Sequence, residues 1–227
     1  MKSAILFIEP SNKKGEDLDW VKVQRGFNYG DGAFETMYYT QGKILHLKAH
    51  LERFKKALQA LQIECPEILT EALLLDSVEK SISSLDTLQH VAYKVKLYAA
   101  RAYGGLYTPE EHHGLFFLEV QGAPQPGFYS RHKAGIAEDV QLTYSKISTF
   151  KTLSALHYVM AGLEKKAKLL DEIILLSTEG YLAEAGSSNI FWWDGAVLYT
   201  PSLESGCIAG IVREQLINYA LENHVVV

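Results

Sequence analysis

The sequence predicts two domains that each mix helices and strands, an α/β class of the α+β kind. Three observations predict it. Runs of alternating polar and apolar residues, which suit strands with one buried face, are interleaved with apolar stripes at helical spacing. The stretch Gln121–Ser130, QGAPQPGFYS, places two prolines and two glycines in ten residues, a composition that suits a connection rather than an element. Beyond it the strand and helix pattern starts afresh. The expected organisation is an N-terminal domain over 1–121, a linker over 122–130 and a C-terminal domain over 131–227.

In the first domain, Lys2–Ile8 reads as a strand and Ser11–Asp19 as a polar, turn-rich stretch. The segment QRGFNYGDGAFETMYY sets Gly26, Gly30 and Gly32 just ahead of a strand over Phe34–Tyr39. These glycines suit a loop whose backbone comes close to something, and a plain structural turn fits them as well. Thr40–Lys43 is a hairpin turn into a strand at Ile44–Leu47. Over Lys48–Leu61, Leu51, Phe54, Leu58 and Leu61 recur at helical spacing, with lysines 55 and 56 on the wet side. Arg53 and His50 flank that stripe, where solvated side chains or surface pairs are the ordinary outcome. A second helix covers Glu67–Ser84. Strands follow at His90–Ala99, where Val91, Tyr93, Val95 and Leu97 alternate with lysines 94 and 96, and at Gly114–Gln121. The loop between them, ARAYGGLYTPEEHHG, carries Arg101, Gly104, Gly105, Tyr107, His112 and His113. Adjacent histidines share no helix face, so no metal site is expected there.

In the second domain the pattern predicts a strand at Val140–Tyr144, a loop holding Lys151, a helix over Ser154–Leu169 and a strand over Glu172–Ser177. A turn at Thr178–Gly180 leads to Tyr181, Leu182 and a loop of small residues around Glu184. A hairpin then pairs Asn189–Trp193 with Val197–Thr200 through Asp194 and Gly195, and a last helix runs from Gly210 to Glu222. That helix follows a glycine-punctuated loop, SGCIAGIVRE, so its first amides could receive a phosphate; a helix start of this kind is also common without any ligand.

With 48% hydrophobic and 22% charged residues the composition is that of an ordinary soluble protein. A net charge of -5 and a pI near 5.9 offer no broad attraction for nucleic acid or anionic lipid, so an anion site would be local. Cys65 and Cys207 lie far apart without metal-ligand spacing and are expected as free thiols in a reducing compartment. No stretch has the length of a signal-peptide core or a membrane span, which makes the cytoplasm the expected location.

RGFNYGDGAFET with HLERF, then FKTLSAL, DEIILLSTEGYLAEAGSSNIFWWDGAVLYTP and AGIVRE, resemble in order and spacing the fold-type IV pyridoxal-phosphate enzymes. These form the aminotransferase class IV family of branched-chain and D-amino-acid aminotransferases and 4-amino-4-deoxychorismate lyases. The resemblance implies pyridoxal 5'-phosphate as cofactor in the cleft between a small N-terminal and a larger C-terminal domain, the latter short at its C-terminus here. It implies a homodimer acting on a small amine that bears a carboxylate. Lys151 becomes the cofactor lysine and catalytic base, Arg53 a grip on the phosphate, and Glu184 the partner of the pyridine nitrogen. Ser188, Asn189, Gly210, Ile211 and Val212 complete the cofactor site. Each role is chemically apt: a lysine deprotonated by burial can join a carbonyl, an arginine fork suits phosphate, and a carboxylate keeps the pyridinium charged.

The chain departs from the family pattern at two of these positions. Val212 stands where a hydroxyl residue is usual. Leu156 stands where branched-chain enzymes place a tyrosine for the cofactor's 3-hydroxyl, leaving Tyr144 or Tyr158 as substitutes. No Arg-x-His trap of the D-amino-acid enzymes follows Arg101, and AYGGLYTP resembles the lyase branch. The expected activity is therefore 4-amino-4-deoxychorismate lyase, with Arg101 and Tyr107 at the substrate. The alternatives are a branched-chain or D-amino-acid aminotransferase and a homologue that keeps the cofactor without turnover.

Overall fold

Alternation in the first half of the chain builds one antiparallel sheet, seen in a computed structural model that describes residues 3–8, 23–85 and 91–227. Its strands are β1 (Ser3–Ile8), β2 (Gly32–Thr40), β3 (Lys43–Ile44), β4 (Ala92–Arg101) and β5 (Gly114–Ala123), in the order β1-β5-β4-β2-β3. The polar stretch Ser11–Asp19, and Lys2 and His90 at the ends of two expected strands, lie outside the described residues. Register places Ala33, Glu35 and Met37 of β2 opposite Ala99, Leu97 and Val95 of β4, and these opposite Phe116, Leu118 and Val120 of β5. All nine are buried. Helices α2 (Leu47–Ala60) and α3 (Glu71–Ser84) bring Leu51, Phe54, Leu58, Leu74 and Val78 into the same core, and Phe54 meets Phe116 edge-on at 6.3 Å. Eight of these nine strand residues are apolar; Glu35 is the exception. Half-buried Phe34, Thr36, Lys96, Tyr98, Phe117 and Glu119 form the other face.

Several expected boundaries shift for local reasons. The second helix begins at Glu71 because the Thr70 hydroxyl caps it, accepting the Leu73 N–H at 3.2 Å. β3 shrinks to two residues, and Leu61 falls past the end of α2. The glycine-rich segment is no open loop: Gln24–Tyr29 forms a short helix, α1, closed by Gly30 at φ 63°. Gly26, Gly30 and Gly32 do come close to something, namely the segment Lys151–Ser154 and strand β4. A side chain on Gly30 would put its Cβ 2.9 Å from Ser154, and one on Gly32 would lie 2.1 Å from the Ala99 carbonyl oxygen and 2.7 Å from Leu153. We expect Gly32→Ala to cost roughly 3 kcal/mol of stability, read as a lower urea midpoint at unchanged slope.

Two compact units emerge. The first comprises Met1–Phe128 with Lys151–Ser154, the second Tyr129–Phe150 with Ala155–Val227. The segment Lys151–Ser154, expected with 131–227, groups with the first unit by its contacts. Phe34 N donates to Lys151 O at 2.8 Å, Leu153 N donates to Gly32 O at 2.9 Å, and Ala33 and Thr152 bridge between them.

In the second unit, β6 (Ala134–Leu142) begins earlier than its alternation suggested and pairs in parallel with β7 (Glu172–Ser177). β8 (Leu182–Ala185) adds antiparallel to β7, so Glu184 stands in a strand opposite Leu175 rather than in a loop. Helix α4 (Leu156–Ala167) packs on β6 and β7, and Val140, Leu142, Ala161, Ile173, Leu175, Ala183 and Cys207 make the core, with Tyr158 against it. A short hairpin, β9 (Trp192–Asp194) and β10 (Val197–Tyr199), and helix α5 (Ile211–Glu222) complete the unit. Among the described residues no helix is long and apolar enough to cross a membrane. Cys65 and Cys207 are free thiols.

Candidate active site

Lys151 owes its place to backbone bonding along the start of β2, which fixes the main chain whatever side chain it carries. Its ammonium lies 4.8 Å from the centroid of the Phe34 ring. In the same unit Arg53 reaches from α2 to the buried Glu35. Arg53 Nε donates to Oε1 at 2.7 Å and Nη2 to Oε2 at 2.5 Å, while His50 Nδ1 stands 2.7 Å from Oε2. The pair is nearly dry, at 10% and 2% side-chain exposure. Burial alone would raise the Glu35 pKa, but hydrogen bonds from His50 and Arg53, and then their charges, outweigh it and hold the carboxyl below its ordinary range. Arg53 and His50 are therefore not solvated flank residues. Glu35 was missed, although an acid at an inward strand position, in phase with Ala33 and Met37, was a signal available to sequence reading.

Arg101 does not project from its loop. It is 4% exposed, and Nε donates to Asp31 Oδ2 at 2.9 Å, Nη1 to Gln62 O at 2.9 Å and Nη2 to Leu61 O. Every nitrogen of its guanidinium is thus engaged by protein, which argues against the expected grip on a substrate carboxylate. Asp31 Oδ2 also takes Arg25 Nε at 2.9 Å, and Arg25 Nη1 donates to the carbonyls of Gly104, Gly105 and Leu106. The double-glycine loop is thereby braced. Tyr107 is 87% exposed, and its ring lies 5.5 Å from that of Tyr29.

The second unit gathers most of the remaining residues around Glu184, which is 3% exposed. Its Oε1 accepts from the Tyr158 hydroxyl; its Oε2 accepts from Ile208 N at 3.2 Å and lies 3.5 Å from Asn189 Nδ2. Asn189 also donates to Ile208 O at 2.7 Å, and the turn after β8 is closed by Ala185 N donating to Ser188 O at 2.8 Å. Burial, and next the Glu184 carboxylate, push the Tyr158 phenol far above its ordinary pKa, so it remains a donor. Gly210 caps α5 without any side-chain hydrogen bond, and a Cβ there would lie 1.9 Å from Asn189 Oδ1. A side chain at this helix start would thus push the Asn189 amide out of its place. Among the described residues no protein acceptor meets the N–H groups of Ile211 and Val212. Ser188 is exposed, as are Tyr144 and Val212.

Comparison with known proteins adds the family. The model of the amino-transferase class IV family matches residues 32–226. The chain is similar to an aminodeoxychorismate lyase of Vibrio harveyi, 25% identical over 201 residues, covering 86% of this chain and 71% of the relative. It is also similar to a branched-chain-amino-acid aminotransferase of Pseudomonas aeruginosa, 26% identical over 215 residues and covering 86% and 66% of the two. Among solved structures, the branched-chain aminotransferase of Thermoproteus uzoniensis with norvaline superposes with a TM-score of 0.78 at 20% identity, over all of this chain and 76% of that one. That likeness shows a fold-type IV architecture. The match of a family model to most of the chain shows the rest: this protein belongs to the class IV aminotransferases, a family of pyridoxal-phosphate-dependent enzymes.

Proposed function

We propose that the chain is a 4-amino-4-deoxychorismate lyase, with Lys151 as the catalytic amine. In this reading Arg53 and the Ile211 and Val212 amides hold the cofactor phosphate, Glu184 meets the ring nitrogen, and Gly210, Ser188 and Asn189 shape the surroundings. The residues present fit the group. Its phosphate needs donors, and the first amides of α5 have no protein acceptor among the described residues. Its ring nitrogen needs a carboxylate kept from water, which the burial of Glu184 supplies. Its carbonyl needs a primary amine on fixed backbone, which Lys151 offers.

When bound, pyridoxal phosphate supplies a pyridinium ring that accepts the electron pair left on a substrate carbon after proton loss. Lys151 Nζ takes that proton from the substrate ring. As it does so the ring carbon–oxygen bond breaks, the side chain leaves as enolpyruvate and the ring becomes aromatic 4-aminobenzoate; the proton carried by Lys151, or one from water, then converts the enol to pyruvate. Val212 contributes only its backbone amide to the phosphate, having no hydroxyl. Glu35, which His50 also holds, fixes the Arg53 guanidinium and so presets its direction.

The observation that favours the lyase over a D-amino-acid enzyme is the loop after Arg101. Gly104 at φ 111° and Gly105 at φ 69° make a turn that other residues rarely adopt, and a Cβ on Gly105 would lie 2.1 Å from the Thr108 carbonyl oxygen. The Arg-x-His trap of the D-amino-acid enzymes does not occur in this loop. We also infer a cytoplasmic homodimer. On α4, Leu156, Val159, Met160 and Leu163 are each at least 45% exposed and recur on the side opposite Tyr158 and Ala161, an apolar stripe suited to burial against a second copy.

Purified protein given pyridoxal phosphate and 4-amino-4-deoxychorismate should release pyruvate and 4-aminobenzoate in equal amounts. Glutamate formed from amino acids and 2-oxoglutarate, with no pyruvate released, would overturn the lyase in favour of a transaminase. Bound cofactor without either product would overturn both in favour of a homologue without turnover.

A further inference from the structure

Tyr158 was open as a partner for the cofactor's 3-hydroxyl, but its single phenolic proton is already given to Glu184 Oε1. The tyrosine sits on α4, on the face turned to the core of its unit beside Ala161, and Cys207 lies in the same cluster. Glu184 is consequently held at both oxygens by groups from separate parts of the chain: a helix on one side, and the Ile208 amide with the Asn189 turn on the other. A carboxylate so held has no freedom to turn about its last bond without breaking hydrogen bonds in a buried place, where each broken one is costly. The Ile208 and Asn189 contacts, at 3.2 and 3.5 Å, are the longer ones.

We propose that Tyr158 is a positioning residue for Glu184: it fixes the carboxylate in the orientation that meets the cofactor's ring nitrogen, and takes no part at the 3-hydroxyl. The inference rests on the pyridoxal-phosphate reading of the preceding subsection. It adds that the family's tyrosine position, filled here by the exposed Leu156, has no substitute in Tyr158. The hydroxyl instead serves the ring nitrogen, through Glu184. Because the bond is made to a charged acceptor, its loss should be felt in how tightly the ring nitrogen is held.

The test uses apo-protein and two ligands, pyridoxal phosphate and the analogue whose ring nitrogen is replaced by carbon. Tyr158→Phe, which keeps the ring in the core, should weaken pyridoxal phosphate roughly tenfold and leave the analogue unchanged. In a Glu184→Gln background the same substitution should change pyridoxal phosphate affinity by less than about twofold, since the group it acts through is gone. Equal losses for both ligands, or additive losses in the double variant, would mean that Tyr158 only fills space and would overturn the proposal. Should Tyr158→Phe not fold, Glu184→Gln alone decides: the hydroxyl proton of Tyr158 in apo-protein, far downfield in the NMR spectrum while it is given to a carboxylate, should move upfield. No movement counts against the proposal. If wild-type protein takes up neither ligand, the cofactor reading itself fails, an outcome distinct from all of these.

Discussion

Lys151→Ala will bind no cofactor covalently and will lose on the order of a thousandfold or more in turnover. Both effects follow from one atom. In the proposed reading the primary amine both joins the cofactor and, once released, moves the substrate proton, so no neighbour stands in for half of the work. The substitution should spare the fold, because the segment is tied to β2 through the Lys151 carbonyl and the amide of Leu153. Among its side-chain contacts is that of the ammonium with the Phe34 ring, worth about 1 kcal/mol in a half-exposed setting. Borohydride reduction followed by intact-mass measurement gives the result directly. Wild type should carry one cofactor per chain and the variant none. An adduct that persists in Lys151→Ala would place the reactive amine elsewhere.

The largest effect on stability is expected at Arg53. Arg53→Ala leaves Glu35 buried with His50 as its remaining side-chain partner of the pair described, and breaking a buried ion pair in this way costs about 3–5 kcal/mol. Denaturant unfolding measures it, and the double variant Arg53→Ala with Glu35→Ala should recover part of the loss because no charge is then stranded. The sign of the pH dependence is fixed by the direction of the shift. Glu35 has a folded pKa below its ordinary value of 4.5, so its pairing contributes fully above that value and is lost as pH falls through the folded one. The deficit of Arg53→Ala should therefore be greatest above pH 4.5 and shrink in acid. A deficit that does not change with pH would show that Arg53 stabilises through packing of its stem alone.

Elements whose burial is one-sided were legible from the sequence. The stripe Leu51, Phe54 and Leu58 gave α2 its face, and alternation gave β4 its phase, because each pattern is set by the next few residues. Elements set by distant partners were not. The glycine-rich stretch folds as α1 with Arg25 reaching carbonyls about eighty positions away, and no local propensity for helix would predict that at Gly26. Glu184 looked like a loop residue because its neighbours are small, yet pairing with Leu175 makes it a strand. The motif resemblance supplied Lys151, Arg53 and Glu184 as candidates, but not the groups that hold them. Glu35 and Tyr158 are ordinary residue types whose partners lie 18 and 26 positions off, and only the fold shows what they touch.

The return of Lys151–Ser154 to the first unit also bears on how the protein is made. During synthesis the N-terminal sheet can pair its own strands as soon as β5 has emerged, but the amide of Phe34 and the carbonyl of Gly32 wait for residues more than a hundred positions downstream. Contacts of such long range form late. Lys151 is therefore expected to reach a sheet that is already built, and a nascent chain cut at the Gln121–Ser130 stretch would carry that sheet with its final rung missing.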